Sequence, residues 1–240
     1  MTQSELSARF ARLFDHSIVH PNATRADVLH AAEIAASLNT ATLTVQPHYI
    51  VLGRQGLQGS KALLGTVVGF PHGNETPAMK RFQARTAMDL GAQEIDMVMN
   101  IPALKNGEQA LFLDDIAGVV EEARAATVKV ILENGFLTDD EKRLACDWAA
   151  RAGAHFVKTS TAYSEGGATL EDVRLMYAAV AGRCLVKAAG AVRTLDQVLE
   201  FLKAGARRFG STRTAGFVKE FCDLTPQQLD AFLPYLPGIE

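Results

Sequence analysis

Short apolar runs alternate with longer stretches of helical periodicity along the whole chain, and this repeat is what most constrains its folding. Apolar runs fall near residues 15–19 (DHSIV), 41–45 (ATLTV), 63–69 (LLGTVVG), 94–99 (EIDMVM), 128–133 (VKVILE), 155–160 (HFVKTS), 184–189 (CLVKAA) and 207–211 (RRFGS). Each has the length and residue types of a strand. The stretches between them, such as ADVLHAAEIAASL, TPAMKRFQARTAMDL, EQALFLDDIAGVVEEARAA, TDDEKRLACDWAARA, LEDVRLMYAAVA and TLDQVLEFLKA, repeat apolar residues at spacings of three and four, the mark of an amphipathic helix. Thr76, Thr138 and Thr194 stand where N-caps are expected. Gly91, Gly153 and Gly205 stand where helices stop before the next strand. A short amphipathic helix, Glu5 to Phe14, precedes the first run.

Eight such units in 240 residues, with no low-complexity linker, predict one domain spanning 1–240: a (β/α)8 TIM barrel with a short N-terminal helix. A doubly wound dinucleotide-binding sheet would call for GxGxxG after an early strand, and none is present. Hydrophobic residues make up 48% and charged residues 21%, the balance of a globular protein. A net charge of -3 gives no general attraction to nucleic acid or to anionic membranes. No apolar stretch approaches the ~20 residues that span a bilayer, and the polar N-terminus lacks the order of a secretory signal. Cys146, Cys184 and Cys222 are widely spaced with no CxxC, which suits reduced thiols in a cytoplasmic protein.

Chemistry in such a barrel sits at the C-terminal ends of the strands. Lys158 (HFVKTS) and Lys187 (CLVKAAG) each lie late in an apolar strand, on consecutive units. Taken alone, a strand lysine is more often a solvated end or half of an ion pair. Neighbouring parallel strands lie ~4.8 Å apart, so two ammonium groups at one height repel, and burial also favours the neutral amine. A walled-in free amine is what attacks a carbonyl to form a Schiff base. Asp96, inside EIDMVM, must be paired or catalytic, because an isolated buried carboxylate is costly. Asp15, in DHSIV, is a second inward acid by the same logic. Lys129 and Glu133 share a face at period-two spacing and are expected to brace the barrel as an interior ion pair.

The histidines His16, His20, His48, His72 and His155 lie near strand ends, but form no HxH or HExxH, so no metal is expected. No GxSxG supports a nucleophilic serine, and Cys184 is expected to pack rather than react. Glycine and small hydroxyl residues gather at 159–169, 187–194 and 210–216. Such loops let backbone N–H groups approach an anion beside a helix N-terminus, and the loops after the last two strands are a frequent phosphate site in this architecture.

The strings DHSIVHPNAT, GFPHGN, EIDMVMNIPALKNG, FVKTSTAYSEGGAT, EDVRLM, VKAAGAVRT and FGSTRTAG resemble the 2-deoxyribose-5-phosphate aldolase family, Schiff-base aldolases on a TIM barrel, from about residue 14 to 219. The resemblance implies cleavage of 2-deoxy-D-ribose 5-phosphate to D-glyceraldehyde 3-phosphate and acetaldehyde without a cofactor, and a homo-oligomer of two or more copies. It implies Lys158 as the Schiff-base lysine, Lys187 as the lysine that tunes it, Asp96 as the proton-transfer acid and Asp15 as a substrate contact. Gly190, Ser211, Thr212 and Arg213 are expected to meet the phosphate, Arg213 if its side chain turns inward. The departures gather at that end. His20 replaces the lysine of the family's DHTLLKP, and TSTG becomes TSTA at Ala162. KASGG becomes KAAGA at Ala189 and Ala191, and Arg213 stands where a small residue is usual. Thr44 replaces the usual cysteine of the second strand. Two alternatives remain: a related Schiff-base lyase acting on a different or unphosphorylated aldehyde, and a catalytically silent sugar-phosphate sensor.

Overall fold

A computed structural model describes residues 2–238. Eight strands run in parallel as β1 (Phe14–Ile18), β2 (Thr42–Val45), β3 (Leu63–Val68), β4 (Glu94–Val98), β5 (Thr127–Ile131), β6 (Phe156–Lys158), β7 (Leu185–Ala189) and β8 (Ala206–Ser211). They close in chain order into a barrel. The helices are α1 (Gln3–Ala11), α2 (Arg25–Leu38), α3 (Ile50–Gly56), α4 (Pro77–Leu90), α5 (Ile101–Lys105), α6 (Gln109–Ala123), α7 (Asp139–Arg151), α8 (Leu170–Val180), α9 (Leu195–Ala204), α10 (Thr214–Cys222) and α11 (Pro226–Asp230). The expected (β/α)8 barrel with a short N-terminal helix is therefore what the chain forms.

Local signals explain the boundaries. Thr76, Thr138 and Thr194 each accept a hydrogen bond from the backbone N–H three residues on. Gly91, Gly153 and Gly205 take φ of 104°, 93° and 114°, a conformation that costs glycine nothing. The first helix begins and ends earlier than expected. Thr2 and Glu5 close a capping box at its start, and Phe14 belongs to β1. The 3-10 turn at Pro47–Tyr49 and α5 are additions to the expected repeat; Asn100 caps α5 through Ala103 N–H at 3.0 Å.

Period-two alternation divides each strand between the barrel interior and the helical shell. Phe14 and Phe209 point outward into a stack of rings with Phe10, Phe217 and Phe221 that fastens α1 and α10 to β1 and β8. Their neighbours Asp15 and Arg208 point inward and meet at 2.7 Å. The shell holds a buried charge pair of its own: Lys80 on α4 donates to Asp115 on α6 at 2.6 Å and to the Val98 carbonyl at 2.9 Å.

The expected pairing of Lys129 with Glu133 is not formed. β5 ends at Ile131, and Glu133 takes a left-handed φ of 56°, which turns its carboxylate to the Thr161 amide and hydroxyl beyond β6. Lys129 instead reaches inward to Glu94 and to Asp96, the latter at 3.0 Å.

Candidate active site

The strand register puts Lys158 directly opposite Lys187, and Asp96 opposite Lys129. Both Lys158 Nζ and Lys187 Nζ donate to Asp96 Oδ2, each at 2.7 Å. Lys187 also donates to Asp15, whose other oxygen accepts from Arg208 at 2.7 Å. Lys129 completes the group through Glu94, Asp96 at 3.0 Å and Asp15 at 3.4 Å, and Arg208 lies 3.5 Å from Glu94. All seven side chains are buried or nearly so.

Unpaired charges would not persist at this depth, so the number of charges matters. The network contains three carboxylates, Asp15, Glu94 and Asp96, and four bases, Lys129, Lys158, Lys187 and Arg208. Fully ionised it carries one excess positive charge; with one base free it is neutral. Burial pulls Lys158 down to about 8; Asp96 opposes this, and the charges of Lys187 and Lys129 reinforce it. Asp15, Asp96, Lys129 and Arg208 move toward ionisation. Burial pushes the Asp96 and Asp15 carboxyls up, but the surrounding cations outweigh it and hold both well below the usual carboxylate range. Burial likewise lowers Lys129, yet Asp15, Asp96 and Glu94 leave it above an ordinary lysine. Lys158 is thus drawn toward the free amine while Lys129, deeper in the network, is held protonated.

Lys158 is also the lysine that faces open space. A cavity of about 340 Å³ at the C-terminal ends of β6, β7, β8 and β1 is lined by Lys158 together with Thr161, Ala162, Tyr163, Gly190, Ser211 and Arg213 among others. Lys187 and Asp96 lie behind Lys158, outside that lining. A pKa near 8 leaves about one amine in ten free at pH 7, against roughly one in three thousand at the usual 10.5. This arrangement can deliver a nucleophilic amine to a carbonyl entering from the strand ends, with a carboxylate at hydrogen-bond distance.

The expected phosphate contacts share the cavity with Lys158. Gly190, with φ of 79°, Ser211, Thr212 and Arg213 all line it. The Arg213 guanidinium does not turn inward: it donates to the Arg193 carbonyl, pairs with Glu220 and lies 5.0 Å from the Phe217 ring centroid. Ala162 and Ala191 occupy left-handed conformations, φ 68° and 59°, that suit glycine. Asp15 is in the network below Lys187 rather than in the cavity lining.

Some neighbours escaped the sequence reading. Glu94 lies one period-two step before Asp96, and Arg208 one such step before Gly210; that alternation was their available signal. Tyr163 spans the mouth from the loop after β6 to the loop after β1, donating to the Val19 carbonyl at 3.0 Å and lying 3.3 Å from His20 Nδ1. His16 faces outward to the Thr214 hydroxyl at 3.1 Å, and burial pulls it down to about 4.

The model of the DeoC/LacD family of aldolases matches residues 9–218. The chain is 44% identical to deoxyribose-phosphate aldolase of Streptococcus gordonii over 208 residues, 87% of this chain and 94% of that one. It is 42% identical to deoxyribose-phosphate aldolase of Listeria innocua over 209 residues, with 87% and 94% covered. Among solved structures, an aldolase designated QR15 superposes with a TM-score of 0.84 at 30% identity, covering 88% of this chain and 95% of that one. The tetrameric deoxyribose phosphate aldolase of Aeropyrum pernix superposes with a TM-score of 0.80 at 28% identity, covering 93% and 94%. The chain belongs to the DeoC/LacD family of aldolases.

Proposed function

We propose that this aldolase cleaves 2-deoxy-D-ribose 5-phosphate reversibly to D-glyceraldehyde 3-phosphate and acetaldehyde through a Schiff base on Lys158. The observation that carries the reading is Lys158 lining the cavity at the strand ends, brought down to about 8 and held by Asp96 at 2.7 Å. The free amine of Lys158 adds to C1 of the open-chain sugar, and loss of water from the carbinolamine gives an iminium. Removal of the C3 hydroxyl proton lets the C2–C3 bond break, its electrons moving to the iminium nitrogen. Glyceraldehyde 3-phosphate departs and leaves an enamine. A proton returned to C2 and hydrolysis of the resulting iminium release acetaldehyde and regenerate Lys158. Asp96, between both lysines and behind Lys158, relays these protons together with an ordered water, and Lys187 keeps Lys158 from retaining its own.

Gly190, Ser211 and Thr212 are assigned to the phosphate, with Arg213 joining once it exchanges Glu220 for the ligand. The alanines at 162 and 191 and the engaged Arg213 favour a second reading, a related Schiff-base lyase acting on an unphosphorylated aldehyde. Acetaldehyde release measured with deoxyribose 5-phosphate and with deoxyribose separates the two. Preference for the phosphate ester supports the first, preference for the plain sugar the second, and no turnover of either supports a silent sensor. A cytoplasmic setting belongs to the same reading, supported by three cysteines that are all free. So does self-association, supported by exposed Val51, Met79 and Phe82 on α3 and α4, which pack against each other; light scattering tests it.

A further inference from the structure

We propose that Arg208 and Glu94, at the end of the ion-pair network away from the cavity, are positioning residues whose charges set the balance of the network and so leave Lys158, which shares Asp96 with Lys187, the base in excess. The inference rests on the Schiff-base reading above and adds two residues that touch neither the cavity nor Lys158.

Arg208 is a cation that does not release its proton under any working condition, and its side chain enters the network from β8 with 16% of its surface exposed. It donates to Asp15 at 2.7 Å and lies 3.5 Å from Glu94, while its guanidinium sits 5.5 Å from the Phe156 ring centroid. Arg208 shares Asp15 with Lys187, so that one carboxylate answers two cations. Three carboxylates then serve four bases, and the network carries one positive charge in excess.

The groups facing this network are Asp15 on β1, Glu94 and Asp96 on β4, Lys129 on β5, Lys158 on β6, Lys187 on β7 and Arg208 on β8. β2 contributes the neutral Thr42 and Thr44, whose hydroxyls bond each other at 3.1 Å. Glu133, the buried carboxylate after β5, is held by the Thr161 amide and hydroxyl, and makes no ion pair among the described residues. The balance is therefore set within the seven groups. Removing Arg208 gives three carboxylates and three lysines, a neutral set with Lys158 protonated. Removing the charge of Glu94 has the opposite effect.

β8 and β6 are two strand spacings apart, roughly 10 Å. At an effective dielectric of about 20, one charge at that range displaces an ionisation by about one pH unit. The test is the rate of borohydride-trapped acetaldehyde adduct on the intact protein, followed from pH 6 to pH 10. Arg208→Met should move the rising limb about one unit to higher pH and lower the rate at pH 7 about tenfold. Glu94→Gln should move it to lower pH. The double variant, which restores the charge balance, should return it close to the parent position, and it remains informative if Arg208→Met alone does not fold. Profiles that fall at every pH without moving, or a double variant as displaced as Arg208→Met, would overturn the inference and make both residues structural braces. An absence of adduct in the parent protein would instead overturn the Schiff-base reading itself.

Discussion

Lys158 and Lys187 face each other across β6 and β7 and donate to the same oxygen, Asp96 Oδ2, at the same distance of 2.7 Å. One carboxylate oxygen shared by two amines holds the pair together while leaving one amine able to lose its proton. Lys187→Leu removes the neighbouring charge and raises Lys158, so activity should fall heavily near neutral pH and recover in part on the alkaline side. A pH–rate profile checks this; an unmoved profile would show that Lys187 does not act through Lys158.

The low value of Lys158 has a cost in stability that can be measured. With a folded value of about 8 against 10.5 for an ordinary lysine, the penalty is fully present below pH 8, declines between pH 8 and 10.5, and is absent above. Its size is on the order of 3 kcal/mol. Lys158→Met should therefore be inactive yet more stable than the parent at pH 7, with a Tm several degrees higher. The difference should close as the pH passes 10. Calorimetry at pH 7 and pH 10.5 gives the comparison, and a less stable variant at pH 7 would contradict the charge balance described for the network.

The barrel could be read from the chain because every level of the sequence agrees on it. Strand runs, caps at Thr76, Thr138 and Thr194, and stop glycines at 91, 153 and 205 are local features, and the structure uses each where it stands. Lys158, Lys187 and Asp96 were legible for the same reason: a charge late in an apolar strand contradicts its surroundings. Glu94 and Arg208 were not: Glu94 opens β4, where a charge is ordinary, Arg208 follows another arginine in the polar first half of β8, and only barrel closure brings β8 beside β1. Lys80 and Asp115 sit on two different helices whose packing no local pattern announces. Glu133 misled because a left-handed residue breaks the period-two alternation on which the expected pairing with Lys129 depended.

Ala162 and Ala191 hold left-handed conformations in the loops after β6 and β7, where an L side chain is strained by roughly 1 to 2 kcal/mol. Part of that gain is returned through the greater freedom of glycine in the unfolded chain. Ala191→Gly should raise stability by about 0.5 to 1 kcal/mol in denaturant unfolding. Removing its Cβ, which stands at the crowded approach of Gly167, should also lower KM for the phosphate ester. A destabilised variant would show that the alanine methyl packs usefully.

Arg213→Ala tests the phosphate end. Loss of a charge-assisted hydrogen bond of ~1.5 to 3 kcal/mol should cut kcat/KM for deoxyribose 5-phosphate by roughly ten- to a hundredfold and leave deoxyribose little changed. Equal effects on both sugars would assign Arg213 to its contacts with Glu220 and the Arg193 carbonyl.

The most direct measurement is the site of covalent capture. Acetaldehyde and borohydride added to the parent protein, followed by peptide mass mapping, should place a single label on Lys158. Lys158→Arg, whose guanidinium stays protonated, should remain folded and take no label. A label on Lys187, or none on the parent, would contradict the assignment of Lys158 as the amine that carries the reaction.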